Sequence, residues 1–157
     1  MTSPDQVVPL ETLRSWAESD DPLLNDLAFH TAFGHAGTVP GLEERERLDI
    51  VLRFLEQALT GRKEGLPEGP YVYAHSALGW LQSLAGSDDP ADRETLGAVV
   101  GMLERVAREG DAATRDVVLL GTLEHAFEED ATRALFDHWA DDPELRPLYE
   151  EARRLNA

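Results

Sequence analysis

Five histidines and thirty-one carboxylates are the residues with which this chain could do chemistry. A zinc or di-iron centre needs three or four such groups converging on one point. His30 and His35 fall five apart on one expected helix, which turns their side chains about 140° away from each other. Of His75, His125 and His138, none completes a ligand set at helical spacing, and the nearest approach is His125 with Glu128 and Glu129. That spacing arises by chance in so acidic a chain. Ser76 follows His75, but consecutive helical residues point apart, and no glycines build a nucleophile elbow around them. There is no P-loop and no GxGxxG, and without cysteine there is no disulfide, thiol nucleophile or thiolate ligand. The chain therefore reads as non-catalytic, with no metal and no cofactor. The rival reading is a small-ligand binder or enzyme. It would use a cleft between helices 71–85 and 112–127, with His75 and His125 at the mouth.

The acids matter more as a surface than as catalysts. Thirty-one of them against fourteen bases give a net charge of −17. Such a field repels nucleic acid and anionic membranes, and it speeds the approach of a basic protein. From 124 to 144, Glu124, Glu128, Glu129, Asp130, Asp137, Asp141, Asp142 and Glu144 stand against Arg133 alone, a local net of −7 from eight acids and one base. Asp130 and Asp142 are explained singly as helix caps, but so large an excess costs self-repulsion that capping does not require. Glu124, Glu128, Glu129, Asp130, Asp137, Asp141 and Asp142 are thus the candidate residues for binding a basic partner. Tyr71 and Tyr73 are further candidate contacts beside the Gly/Pro-rich loop 61–70. Leu135, Phe136 and Trp139 read as one core cluster.

These residues must be positioned by helices. Leu96, Val99, Val100, Leu103, Val106 and Ala107 follow the i, i+3, i+4, i+7 rule, as do Leu48, Val51, Leu52, Leu55 and Leu59. No period-two alternation appears. Asp21–Pro22, Asp89–Pro90 and Asp142–Pro143 each read as an N-cap followed by proline at the first helical position. Gly61, Gly86 and Gly110 read as left-handed C-terminal stops. The expected helices are 9–18, 22–35, 41–60, 71–85, 90–109, 112–127, 131–140 and 143–155. A chain of 157 residues fits one all-α domain. The N-terminus MTSPDQVVPLETL has neither a basic nor an apolar leader region, so a cytoplasmic location is expected.

The helices repeat. LDIVLRFLEQAL (48–59) aligns without gaps on LGAVVGMLERVA (96–107), matching Leu48/Leu96, Val51/Val99, Leu55/Leu103 and Glu56/Glu104. In the helices that follow, Leu78–Gly79 corresponds to Leu120–Gly121. DDPLLNDLAFHTAFGHA (20–36) laid on GDAATRDVVLLGTLEHA (110–126) sets Asp26 on Asp116 and His35 on His125. The domain is accordingly divided into hairpins 9–36, 41–85, 90–127 and 131–155. With Arg115–Asp116–Val117–Val118 and Asn25–Asp26–Leu27–Ala28 each leading into an apolar run, the chain resembles HEAT and armadillo-type helical-repeat proteins. The resemblance implies a short stack of hairpins acting by binding; an irregular helical bundle is the alternative. From about residue 45 the order of Leu–Glu helices, the Arg–Asp–Val–Val helix and the Asp–Pro–Glu–Leu–Arg–Pro tail resembles small uncharacterised all-helical bacterial proteins. Some of these belong to toxin–immunity systems, which implies a blocking or adaptor role.

Overall fold

The computed structural model describes residues 6–157, and among these residues every regular element is helical. The helices are α1 (Leu10–Glu18), α2 (Pro22–Gly34), α3 (Glu44–Leu59), α4 (Pro70–Leu84) and α5 (Pro90–Glu109). There follow α6 (Ala112–Val118), a π-helical segment (Leu119–Leu123), α7 (Glu124–Ala126), α8 (Asp130–Ala134), a 3-10 segment (Asp137–Asp141) and α9 (Arg146–Leu155). A shorter 3-10 turn spans Ala36–Thr38. None of these helices is long and apolar enough to cross a membrane.

The caps explain most of the boundaries. Asp21 accepts from the Leu23 N–H at 2.9 Å and Asp89 from the Ala91 N–H at 2.8 Å, each with proline in the first turn. Asp111 accepts from the Thr114 N–H at 2.9 Å and starts α6. Asp142 makes the same bond, its carboxylate accepting from the Glu144 N–H at 2.9 Å while its carbonyl accepts from the Arg146 N–H at 2.7 Å. Residues 143–145 nevertheless form a turn, and the last regular helix begins only at Arg146, not at 143 as expected. The expected helix 131–140 is likewise broken into α8 and the 3-10 segment. Of the three glycine stops, Gly61 alone is left-handed, with φ +71°. Gly110 is extended, and its lack of a side chain serves a close approach instead: a Cβ there would lie 2.5 Å from Thr114 Cγ2.

Consecutive helices pack as antiparallel pairs, and successive pairs meet in a fixed register. Between α2 and α4, Asp26 meets Tyr73 and Phe33 meets Trp80, so partners advance together along both chains and the two helices run parallel. Between α4 and the 112–126 rod, Ala74 meets Gly121 and His75 meets His125, again parallel. The first helices of the pairs also touch, through Arg14–Glu46 and Arg105–Glu56. The first four helices pack each on the next in chain order, α5 packs on α3 and α4, and α9 returns onto the π-helical segment and α7.

One continuous core runs through the pairs. Leu13, Phe29, Leu55, Tyr73, Leu81, Leu103, Leu123, Phe136 and Trp139 are almost fully buried within it. Phe29 stacks on Phe54 with centroids 4.6 Å apart and meets Tyr73 edge-on at 5.8 Å. α4 carries no ionisable group except Tyr71, Tyr73 and His75.

Candidate functional site

The acidic stretch is not one uniform face. Glu128 is engaged by His125, whose Nδ1 lies 3.1 Å from it, and Asp130 by Arg133 at 2.8 Å. Asp142 is drawn to Arg108 of α5, which also lies 3.7 Å from Glu144. The Glu124 carbonyl accepts from Asn156 at the end of the chain. The stretch thus divides into a set beside α7 and α9, and a set held against α5. Glu129, Asp137 and Asp141 are exposed and form no ion pair among the described residues. They are the free charge of this surface.

The α5 side is fixed by a bond network that the sequence did not reveal. Glu104, half-buried, accepts from Trp139 Nε1 at 2.9 Å, and its carboxylate also contacts His138 Nε2. The short 3-10 segment is thereby pinned to α5 and carries Asp137 and Asp141 with it. At its far end the Arg108 guanidinium hydrogen-bonds Asp142 and holds that carboxyl below the usual carboxylate range. A carboxylate so lowered contributes stability above its unfolded value and loses it as the pH falls through its folded value. Arg108→Ala is accordingly expected to reduce stability at pH 7 and to approach the parent as acid protonates Asp142 through its lowered folded value. Denaturant midpoints at neutral and acid pH check this; an equal deficit at both would remove the ion pair as its cause.

The second place of interest is the crossing of α4 with the 112–126 rod. His75 and His125 do come together, with ring centroids 6.1 Å apart and planes near perpendicular. Near them the two helices touch directly. Gly121 faces Ala74 so closely that a Cβ on it would lie 2.5 Å from Ala74 Cβ, and the Thr122 hydroxyl donates to the Ala74 carbonyl at 2.8 Å. A π turn, with its extra residue, occurs at this crossing, as such turns often do at functional positions. Among the described residues no three His, Asp or Glu side chains converge as a metal would require. His30 instead pairs with Asp26, and His138 with Glu104.

Tyr73 is not a surface contact. It is buried at 1% exposure, and its hydroxyl donates to Asp26 at 2.6 Å. Burial first and then the neighbouring Asp26 carboxylate push its ionisation well above the ordinary tyrosine range. Tyr71 remains exposed at 47%, beside Val72 at 49%, and across the crossing Leu120 is 41% exposed. The packing of Ala74 on Gly121 leaves Val72 and Leu120 on the outside of their helices. Comparison with known families, curated proteins and solved structures returned no match, so the reading of these surfaces rests on their residues and geometry.

Proposed function

We propose that the protein is a non-catalytic binding module of the immunity or adaptor kind, working in the cytoplasm. It captures a basic partner protein through Glu124, Glu128, Glu129, Asp130, Asp137, Asp141 and Asp142. The observation that carries this is the charge left over after internal pairing: Glu129, Asp137 and Asp141 stay exposed and unmatched, while the one base of the stretch, Arg133, is spent on Asp130. Like charges held together cost stability unless something outside uses them. The HEAT-like stack belongs to the same reading. It is supported by the parallel registers of α2 with α4 and of α4 with the 112–126 rod. Neither nucleic acid nor membrane fits a surface carrying −17.

Reversing Glu128, Glu129, Asp130, Asp137 and Asp141 to lysine should weaken capture of a basic protein such as lysozyme and flatten its salt dependence. About tenfold or more is expected at low ionic strength. Unchanged capture across a salt series would remove this surface from the reading. The rival, a ligand-binding or catalytic site at His75 and His125, draws on their contact alone. There, alanine at both histidines would abolish function and leave capture intact.

A further inference from the structure

Six large apolar side chains of the described residues are strongly exposed, and three of them, Tyr71, Val72 and Leu120, belong to the two helices that touch at Ala74 and Gly121. The Tyr71 carbonyl lies 3.6 Å from where a Gly121 Cβ would stand, which sets exposed Tyr71 and Val72 of α4 and exposed Leu120 of the rod beside one close helix contact. His75 and His125 extend the strip at 6.1 Å centroid separation. An exposed apolar cluster of this kind, rimmed by polar groups, is the usual mark of a contact surface.

The rim has one sign. Asp116 and Glu124 flank Leu120 at i−4 and i+4 on the same rod, Glu68 precedes α4, and Glu128 sits on His125. No Arg or Lys occurs in α4. The single one in the 112–126 rod, Arg115, donates through Nε to the Ala107 carbonyl at 2.9 Å, which turns it onto the end of α5. Apolar centre, acidic neighbours and no free cation on either helix together favour one complement: an amphipathic helix with Leu- or Phe-type anchors flanked by Lys or Arg.

We infer that the strip formed by Tyr71, Val72 and Leu120 is the seat for an amphipathic cationic helix of the partner. The seat presupposes the basic partner proposed above, and it adds the apolar anchor that acids alone do not supply. Two synthetic peptides of equal length and charge test it, one a Leu/Lys amphipathic helix and one of Gly and Lys. Titrated against the whole protein, the Leu/Lys peptide should bind about tenfold tighter. Val72→Ser with Leu120→Ser should erase that preference, while the five lysine reversals should weaken both peptides alike. Both positions are exposed, and an unchanged far-UV dichroism spectrum verifies the fold of the variant. If the serine variant keeps the preference, the strip is not the seat and the acidic reading stands. If neither peptide binds the parent, the basic-partner reading falls together with the seat. If the serine variant sediments at a smaller mass than the parent, the strip is covered by a second copy of this chain and the cationic helix is overturned.

Discussion

Trp139→Ala is expected to lower stability by about 3–5 kcal/mol, the usual cost of emptying a core indole site. For a domain of this size the melting temperature should then fall by roughly 6–20 °C. Trp139 is fully buried, stands edge-on to Phe136 at 5.0 Å, and donates from Nε1 to Glu104 at 2.9 Å. It belongs to a five-residue 3-10 segment with too few backbone bonds of its own to persist alone. The indole is therefore what joins the segment to α5. Trp139→Phe keeps the ring and gives up the donor, so it should cost only about 1–2 kcal/mol, because Glu104 still has His138. Thermal unfolding of both variants checks the pair. An alanine deficit no larger than that of phenylalanine would mean that the ring is not the anchor. Since Asp137 and Asp141 ride on this segment, the alanine variant should also lose salt-dependent capture beyond what its stability predicts.

The regular part of the architecture was open to reading because its causes are local. The α5 boundaries 90–109 follow from Asp89 as cap, Pro90 in the first turn and an unbroken apolar stripe to Ala107. The repeat of 48–59 in 96–107 anticipated two helices lying side by side, and Glu56 with Arg105 now joins them. What escaped depends on partners far away in the chain. Tyr73 looked like a surface ring beside a loop until Asp26, 47 residues earlier, supplied an acceptor for its hydroxyl inside the core. His138 has acids near it in sequence at 141 and 142, yet its partner is Glu104 of α5, 34 residues earlier. The break after α8 has a comparable origin. The Thr132 hydroxyl donates back to the Ala126 carbonyl and, at 3.1 Å, to that of Glu129, which draws α8 against the preceding turn. Trp139 must at the same time reach Glu104, so the chain is held at two points that one straight helix was expected to span. Of the candidate acids, composition located the charge, and only the pairing of Arg108 with Asp142, of Arg133 with Asp130 and of His125 with Glu128 separates spent carboxylates from free ones.

The crossing of α4 with the 112–126 rod supplies the second large effect. Gly121→Val should destabilise by about 3 kcal/mol, the upper end of what overpacking costs. The reason is that the obstacle cannot swing aside. A Cβ at 121 meets Ala74 Cβ at 2.5 Å, and Ala74 Cα follows at 3.8 Å, so the α4 backbone itself must retreat. Retreat would stretch the Thr122 to Ala74 bond, whose two ends are buried, and would part His75 from His125. Gly79, the glycine aligned with Gly121 in the repeat, has open space around its Cα. Gly79→Val should be neutral or stabilising by a few tenths of a kcal/mol, since valine is the better helix former and its Cβ meets open space. The compensating change sharpens the test. Ala74→Gly alone loses about 1 kcal/mol through backbone entropy, but combined with Gly121→Ala it exchanges which helix carries the methyl group and should recover most of the strain. A double-mutant cycle by chemical denaturation measures that coupling. Additive losses at 74 and 121 would mean that the two helices do not touch there, and the exposed strip of Tyr71, Val72 and Leu120 would lose the contact that assembles it.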